Sequence, residues 1–371
     1  MSEHITQQAL ESYLWGVATI LRGLVDAGDY KQYVFPLLFY KRLSDVWDEE
    51  FAKALADTGD ANYARETAND RIYDPTCGTG GMLISALTEV KRTGGEHRTL
   101  KLYGQERNHM TASIARMNLV LHGVDDYQIM RGDTLEHPAF TEDDQLRTFD
   151  VVFANPPYSI KQWNREAFQT DPWQRNFLGT PPQGRADYTF FQHILKSLDP
   201  ATGRCAILFP HGVLFRKEEA QMRQKLVEAD LVECVLGLGP NLFYNSPMEA
   251  CIIICRTRKP PERQGRILFI DAVHEVARMQ GQSFLKPEHQ SRILSTYQSY
   301  NNDPSFATIA TLEEIATQDY SLSIPLYVRR TTANNQTEEV KTLAEVWADW
   351  EQGSRAFWLE MDSLVDMLDS L

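Results

Sequence analysis

From residue 71 onwards, short apolar stretches alternate with segments of helical periodicity, and this alternation limits the folds that the chain can adopt. Seven of the apolar stretches have the length and composition of buried strands, and helical segments separate most of them. Strands that are joined through helices run parallel, with the helices packed on both faces of the sheet. The pattern therefore predicts an α/β fold with a seven-stranded, doubly wound sheet. The predicted strands are 71–74, 101–106, 127–133, 150–155, 204–210, 231–238 and 250–257, and the predicted helices are 80–92, 109–122, 187–198 and 216–228.

The segments on either side of this region have a different composition. Apolar residues at helical spacing, among them Leu10, Leu14 and Val17, predict a helical unit at the start of the chain. The last forty or so residues are acidic and carry an apolar stripe that includes Val346 and Trp350. This stripe predicts a helical tail that docks on a partner, with packing against the chain's own core as the alternative. The predicted domains are 1–58 (helical), 59–70 (linker), 71–330 (sheet domain, with a strand at 266–271 in an appendage) and 331–371 (acidic helical tail).

The bulk composition excludes several classes of protein. The 371 residues contain no apolar run long enough to span a membrane and no charged-then-apolar leader at the start. The five cysteines are odd in number and form no CxxC pair, which favours reduced core residues in a cytoplasmic protein without a metal site. A net charge of −14 argues against strong stand-alone DNA binding and favours a partner that supplies the positive field.

A glycine-rich turn, "DPTCGTGG" at residues 74–81, follows the first predicted strand and precedes an apolar helix. Gly78, Gly80 and Gly81 permit positive φ and close backbone approach, and the helix directs free amides towards a ligand. The turn has no Gly-Lys-Ser/Thr, which excludes a nucleoside-triphosphate loop, and it does not match GxGxxG. A purely structural turn is the alternative interpretation of this stretch taken alone.

The next three predicted strands also end in polar residues. Glu106 ends the second strand, near the ~20-residue offset at which an acidic side chain meets a ribose diol in nucleotide-binding sheets. Asp133, in "GDTL", follows the third strand, where it could hold an adenine amino group. Because the carboxyl ends of parallel strands meet at one edge, the four strand ends together predict a nucleoside cofactor site beside a reaction site.

The fourth of these strands runs into Asn155-Pro156-Pro157-Tyr158. The two prolines lack amide hydrogens and fix φ, so they end the strand and leave a rigid edge that offers carbonyl acceptors. A strand-terminating turn is the alternative interpretation, and the three neighbouring strand ends favour a site instead.

With these motifs in this order, the chain resembles amino-methyltransferases that use S-adenosylmethionine. More narrowly, it resembles the modification (M) subunit of type I restriction-modification systems, which methylates adenine at N6 in DNA. The similarity extends over about residues 10–330 and includes "YGQERNHMTASIARMNLVLHG", "ADYTFFQHIL" and "GPNLFYNSPMEACIIIC". The release-factor glutamine methyltransferases share the Asn-Pro-Pro-Tyr motif but not these flanking segments.

The resemblance implies a site-specific, adenine-specific DNA methyltransferase with a Rossmann-like sheet and S-adenosylmethionine as its cofactor. It implies double-stranded DNA, a specificity (S) subunit and a second M subunit as partners, and a restriction (R) subunit can join them. An RNA or protein-glutamine methyltransferase and a catalytically impaired assembly subunit stay open as alternatives. The implied catalytic residues are Asn155, Pro156, Pro157 and Tyr158, and the implied cofactor-binding residues are Asp74, Pro75, Cys77, Gly78, Thr79, Gly80, Gly81, Glu106, Asp133, Thr134, Leu135 and Asn155.

A stretch rich in cations and aromatic residues, 161–185, follows the Asn-Pro-Pro-Tyr motif. A positive, aromatic loop beside the site suits a flipped nucleotide and its flanking phosphates, and an ordinary solvated loop is the alternative. The candidates for DNA contact are Lys161, Arg165, Arg175 and Arg185.

The segment before the glycine-rich turn departs from the family pattern. Only residues 52–73 separate Phe51 from Asp74, whereas the family has a much longer segment there that includes a Thr-Pro loop at the methionine end of the cofactor. The N-terminal domain is therefore expected to be shortened, and the cofactor to lose contacts on its amino-acid side.

Overall fold

The computed structural model describes residues 71–92, 100–124, 126–158, 160–242, 248–279 and 282–329, together with Trp347 and Trp350. The predicted N-terminal domain, the linker and the shortened segment lie outside the described residues, as does almost all of the tail. Those domain boundaries stay predictions.

The described residues form thirteen strands and seven α-helices. The strands are β1 (Arg71–Asp74), β2 (Lys101–Glu106), β3 (Tyr127–Arg131), β4 (Thr141–Glu142), β5 (Gln145–Leu146), β6 (Val151–Ala154), β7 (Arg204–Pro210), β8 (Val232–Leu238), β9 (Ala250–Arg256), β10 (Arg266–Ala272), β11 (Ala277–Met279), β12 (Gln282–Phe284) and β13 (Ala307–Thr311). The helices are α1 (Gly81–Arg92), α2 (His109–Leu121), α3 (Arg165–Gln169), α4 (Asp187–Lys196), α5 (Ala220–Glu228), α6 (Pro287–Ser299) and α7 (Leu312–Thr317), with 3₁₀ helices at His211–Leu214, Lys217–Glu219, Pro261–Arg263 and Ile324–Leu326.

Nine of the strands form one sheet in the order β13-β10-β8-β9-β7-β6-β1-β2-β3. The predicted α/β fold is confirmed, because all seven predicted strands lie in this sheet and β3, β2, β1, β6 and β7 run parallel to one another. The four predicted helices are present as α1, α2, α4 and α5.

Two features of the sheet differ from the prediction. Strand β9 is antiparallel to both of its neighbours, β7 and β8. The connection between β8 and β9, residues 239–249, is shorter than the dozen or more residues that a parallel crossover needs. The second difference is that β10 belongs to no appendage, because it extends the central sheet parallel to β8, and β13 closes that edge antiparallel to β10.

Both faces of the sheet are covered, as the near-continuous apolar strands require. Alternate residues enter opposite cores, so that Ile72 packs on one face and Tyr73 on the other. Helices α1 and α2 cover the first face, and α4 and α5 cover the second. All five cysteines are buried and unpaired. Within the described segments, no helix has the length and apolar character that crossing a membrane requires.

Candidate functional site

The strand order reverses between β1 and β6. The chain proceeds from β1 outwards to β2 and β3 on one side, and returns through β6 to β7 on the other. Ligands of open α/β sheets bind outside the carboxyl ends of the strands at such a switch point. A cavity of about 770 Å³ lies at this position. Its lining includes Pro75, Thr76, Gly78, Gln105, Glu106, Arg107, Asn108, His109, Arg131, Gly132, Asp133, Thr134, Leu135, Glu136, Asn155, Pro156, Pro157, Tyr158, Ile160, Gln162, Trp163, Asn164 and Phe190.

The glycine loop after β1 is held in a conformation that only glycine adopts easily. Gly78 has a φ of 53° and Gly80 a φ of 81°, both in the left-handed region. The amide of Gly80 donates to the carbonyl of Cys77 at 2.8 Å, and the carbonyl of Gly80 accepts from Ile84 in the first turn of α1. Gly78 reaches the cavity, whereas Cys77, Thr79, Gly80 and Gly81 do not line it.

Cys77 is fully buried and does not line the cavity, so the structure shows no contact site for a cofactor on it, and its assignment to the cofactor stays a prediction. The Cys77 side chain lies behind the loop against β2, where a Cβ on Gly104 would approach its Sγ to 2.8 Å and Ile129 Cδ1 to 2.6 Å. Gly104 is thus required for the loop to pack on β2. Sequence reasoning overlooked it, although a glycine inside an apolar strand is a signal of close approach.

Glu106 closes the glycine loop from the end of β2. Its Oε2 accepts from the amide of Gly78 at 3.1 Å, and its Oε1 accepts from the amide of Asn108 at 2.7 Å. Each carboxylate oxygen keeps a further acceptor lone pair. The structure therefore fixes Glu106 at the cavity wall in an orientation that can still accept hydrogen bonds from a hydroxyl pair.

Asp74, at the end of β1, is a buried carboxyl group with 1% of its surface exposed, and it directly precedes the cavity-lining Pro75 and Thr76. Its Oδ1 accepts from the amide of Thr76 at 2.9 Å, and its Oδ2 has no hydrogen-bond partner among the described residues. Burial, and to a smaller extent the charge of Glu106, raise the pKa of Asp74 to about 8. Without a cation beside it, this carboxyl group is therefore protonated at neutral pH.

The segment after β3 forms the opposite wall. Asp133 Oδ1 accepts from the amide of Leu135 at 2.9 Å, and Asp133 Oδ2 lies 3.4 Å from Nη1 of the exposed Arg107. The buried hydroxyl of Thr134 donates to the carbonyl of Pro75 at 2.6 Å, which joins this wall to the glycine loop. Arg107 directly follows Glu106 in the sequence, and that adjacency is the signal by which it could have been found.

Asn155, Pro156, Pro157 and Tyr158 all line the cavity, next to the glycine loop. The Tyr158 hydroxyl donates to Asn155 Oδ1 at 3.1 Å, so the amide oxygen is already oriented. Burial, with smaller contributions from Cys251 and Asp187, raises the pKa of Tyr158 far above its ordinary value, so its hydroxyl keeps its proton. Phe190, which sequence reasoning did not single out, reaches the cavity from α4.

The loop after the Asn-Pro-Pro-Tyr motif is built differently from the predicted cationic surface. Arg175 is 1% exposed and pairs with Asp171, which is also buried, so its assignment as a DNA contact is wrong. Arg165 is half-buried and donates to the carbonyl of Pro181. Lys161 and Arg185 are exposed, and their contact with DNA stays a prediction. The cavity wall in this loop consists of Ile160, Gln162, Trp163 and Asn164.

Among the described residues, no group of three or more His, Cys, Asp or Glu side chains is arranged to hold a metal ion. Of the charged groups at the cavity, Glu106 and Asp133 accept from backbone amides, and Arg107 lies within ion-pair distance of Asp133. The arrangement can orient a polar organic ligand on one side and a hydrogen-bond donor on the other.

A sheet of this order with its antiparallel β9, a glycine loop after β1 and an Asn-Pro-Pro-Tyr end on β6 defines a methyltransferase-type fold. The chain belongs to the N-6 DNA methylase family, whose model matches residues 55–336. The model of the HsdM N-terminal domain matches residues 10–84.

Individual relatives agree with the family assignment. The chain is 35% identical over 273 residues to the type I restriction enzyme MjaVII methylase subunit of Methanocaldococcus jannaschii, covering 70% of this chain and 46% of that protein. It is 31% identical to the HindI methylase subunit of Haemophilus influenzae, covering 71% and 60%. The chain thus spans about half the length of the curated relatives that it matches.

The solved structures give the same result. A type I restriction-modification methyltransferase subunit from Streptococcus thermophilus superposes with a TM-score of 0.65 at 34% identity, covering 70% of this chain and 54% of that one. The M protein of the type I restriction enzyme EcoKI superposes with a TM-score of 0.58 at 17% identity, over 96% of this chain and 76% of that one, and shows the common fold.

Proposed function

We propose that this chain is the modification subunit of a type I restriction-modification complex, and that it transfers a methyl group from S-adenosylmethionine to N6 of adenine in double-stranded DNA. The observation that carries the proposal is that Asn155-Pro156-Pro157-Tyr158 and the glycine loop line one cavity at the switch point of the sheet. A cofactor and an acceptor base can lie side by side there. The similarity to type I methylase subunits supports the same function.

The cavity suits S-adenosylmethionine in size and in its polar groups. A volume of about 770 Å³ falls in the range of small-molecule sites. Of the lining residues, Glu106 is suited to the ribose hydroxyls and Asp133 to the adenine amino group. Asp74 does not itself line the cavity, but it directly precedes the lining residues Pro75 and Thr76, and its unpartnered Oδ2 is the acceptor that we propose for the ammonium group. When bound, S-adenosylmethionine supplies an electrophilic methyl group on a positively charged sulfonium.

Asn155 and Pro156 would activate the acceptor amine. The lone pair of an adenine amino group is delocalised into the ring, and it becomes more localised when both N–H groups donate to fixed acceptors. The Asn155 side-chain oxygen and the Pro156 carbonyl are such acceptors, and the prolines hold them in place before the reaction. Asn155 Oδ1 accepts from Tyr158 as well, and a carboxamide oxygen has two acceptor lone pairs for the two donors.

Tyr158 would bind the base itself. An adenine must leave the duplex to reach the cavity, and an aromatic ring at its entrance replaces part of the lost stacking. Ile160 and Trp163 continue this wall. Binding both reactants in one cavity would account for much of the rate enhancement.

The proposed partners supply the sequence recognition. Direct readout of bases needs a helix or ribbon in the major groove, and a chain with a net charge of −14 binds phosphates weakly. We therefore infer that a specificity subunit positions the DNA, with a second modification subunit in the complex and a restriction subunit that can join it.

Labelled methyl transfer tests the proposal. The chain is purified in complex with a specificity subunit from the same organism and incubated with labelled S-adenosylmethionine and unmethylated DNA, total RNA or a release factor. Label in DNA is expected. Label in RNA or in the release factor would replace the proposed substrate, and binding without any transfer would identify an assembly subunit.

A further inference from the structure

The buried side chain of Arg175 connects two walls of the cavity. Its Nη1 donates to the carbonyl of Thr134 at 2.9 Å, and its Nη2 donates to the carbonyl of Leu135 at 2.8 Å. Its Nε and Nη2 bond to the carboxylate of Asp171, and its backbone amide donates to Asp171 Oδ2 at 2.8 Å. A guanidinium group has five N–H donors in a rigid fork, and this set of acceptors uses four of them.

The two walls serve different ligands under the proposed function. Thr134 and Leu135 belong to the cofactor wall, and Ile160 and Trp163 belong to the loop wall beside the acceptor base. Arg175 lies in the loop that carries the second wall, yet its side chain bonds to the backbone of the first.

The cofactor wall has further anchors that do not involve Arg175. The Thr134 hydroxyl donates to Pro75, and Asp133 accepts from the amide of Leu135. The Gln105 side chain donates to the carbonyl of His137. The loop wall is bonded within its own loop, for example from Trp163 Nε1 to the carbonyl of Gln183. Loss of the Arg175 fork should therefore leave the cofactor wall in place and let the loop wall shift relative to it.

The aromatic and histidine neighbours of Arg175 hold its guanidinium group in this position. Its guanidinium carbon lies 5.6 Å from the ring centre of Phe168 and 5.0 Å from that of Trp173. His193, beside it on α4, approaches Arg175 Nη1 through Nδ1 and the Tyr73 hydroxyl through Nε2. Burial, and next the charge of Arg175, hold the pKa of His193 well below its ordinary value, so a neutral ring accepts from Arg175.

We propose that Arg175 is a positioning residue that fixes the loop of the acceptor base at the correct distance from the cofactor wall. This inference rests on the proposed methyltransferase function and assigns a role that no motif match specifies. Arg175 is buried and does not line the cavity, so it would touch neither reactant. It acts through the backbone of Thr134 and Leu135 and through the loop that it braces.

Arg175→Lys separates positioning from binding. Lysine keeps the charge, but its ammonium group cannot bridge two carbonyls and a carboxylate as the fork does. With the complete complex and unmethylated DNA, the expected result is a fall in kcat of about 10–100-fold, because small misplacements at the reacting centre have effects of that size. The Kd of S-adenosylmethionine, measured by calorimetry, is expected to change by less than about 3-fold.

Arg263→Lys is the matched control. Arg263 is also buried and also bonds a carboxylate and a backbone carbonyl, those of Glu233 and Gln298, in a cluster away from the cavity. The Arg263→Lys substitution is expected to lower the Tm of the protein without changing kcat. If Arg175→Lys does not fold, Asp171→Asn is used, for which we expect a smaller fall in kcat and an unchanged cofactor Kd.

Hydrogen exchange distinguishes this inference from the proposed function. Amides of residues 160–164 are expected to exchange about 10-fold faster in Arg175→Lys than in the wild type, and those of 133–136 to change little. If the wild-type complex methylates no substrate, the proposed function fails. The exchange rates of residues 160–164 then show by themselves whether Arg175 holds the loop in place. If the wild type is active and Arg175→Lys matches Arg263→Lys in kcat, the positioning role is wrong, and a parallel loss of cofactor binding would refute it as well.

Discussion

The loops after β1 and β6 lie side by side at the same cavity but are built from opposite chemistry. The loop after β1 depends on glycines in the left-handed region, such as Gly78, whose amide donates to Glu106. The loop after β6 depends on Pro156 and Pro157, which have no amide hydrogens and leave Asn155 as an acceptor. The first loop is suited to hold a ligand, and the second is suited to draw electron density into an amine. The comparison predicts that changes in the two loops affect different steps.

The largest effect is expected for Asn155→Ala, which removes the acceptor from the second loop. Methyl transfer should fall by about 10²–10³-fold, the range seen when one preorganised hydrogen-bonding group is lost, while the cofactor Kd changes by a few-fold at most. Single-turnover rates and calorimetry measure the two quantities. Asn302→Ala is the control, since Asn302 also uses its side-chain oxygen as an acceptor, for the amide of Ile309, and lies outside the cavity lining and the loop of residues 161–185. Equal rates for the two variants would remove Asn155 from the mechanism.

The first loop is expected to give a pH dependence of cofactor binding. Asp74 has a raised pKa of about 8 in the folded protein, and a bound ammonium group favours its ionised form. The Kd of S-adenosylmethionine should therefore fall by up to about 10-fold per pH unit between pH 6 and 8, with release of a proton. Calorimetry in buffers of different ionisation enthalpy counts that proton. Asp74→Asn should abolish the proton release, and an unchanged count in that variant would contradict the assignment.

The same shift predicts the sign of a stability change without ligand. The pKa of Asp74 is higher in the folded protein, about 8, than its ordinary value of 3.8, so the folded state binds more protons between these values. Its contribution to the free energy of unfolding is therefore greatest near pH 4 and is lost as the pH rises towards 8. Denaturant unfolding of the wild type and Asp74→Asn across this window measures it, and a wild-type slope no steeper than that of the variant would exclude the shift.

Gly78→Ala tests whether the left-handed turn itself matters for binding. The φ of 53° makes an alanine unfavourable by about 1 kcal/mol, and a shifted amide should raise the cofactor Kd by about 10-fold. Gly123→Ala is the control, because its φ is 67° and a Cβ there meets open space at the far end of α2. Both variants should lose similar stability. Unchanged binding in Gly78→Ala would show that the turn is only structural.

The smallest effect is expected for Tyr158→Phe. The ring that stacks on the base remains, and only the hydroxyl that donates to Asn155 Oδ1 is lost. One hydrogen bond of this kind is worth about 1 kcal/mol, which corresponds to about a 5-fold fall in kcat. Tyr158→Ala should be much slower, and comparison of kcat in the two variants separates stacking from orientation. A rate in Tyr158→Phe as low as in Tyr158→Ala would assign the main role to the hydroxyl.

The sequence predicts the parts of the fold that depend on buried apolar strands. The seven predicted strands are found because their alternation with helices is a local pattern. Strand β13, with the sequence "ATIAT", was missed because an edge strand of small and polar residues has no apolar run to mark it. Strand β10 was recognised as a strand, but its place in the sheet depends on pairing with β8 across the chain, which no local pattern encodes.

In the site, too, the features that follow from local sequence patterns are predicted and those that depend on contacts across the chain are not. The polar strand ends, including Glu106 and Asn155, were predicted to meet because parallel strands bring their carboxyl ends together. The role of Arg175 was not predictable, because a cation in a mixed loop has the same sequence pattern whether it faces solvent or is buried. Only the structure shows that Asp171 and the carbonyls after β3 surround it.

Mass spectrometry of the methylated product tests the central claim most directly. Unmethylated DNA is treated with the complete complex and labelled S-adenosylmethionine, then digested to nucleosides, in parallel with the Asn155→Ala complex. The proposed mechanism predicts label in N6-methyladenine with the wild type and almost none with Asn155→Ala. Label on cytosine, or the same amount of N6-methyladenine from both complexes, would contradict the claim that Asn155 after β6 activates an adenine amino group.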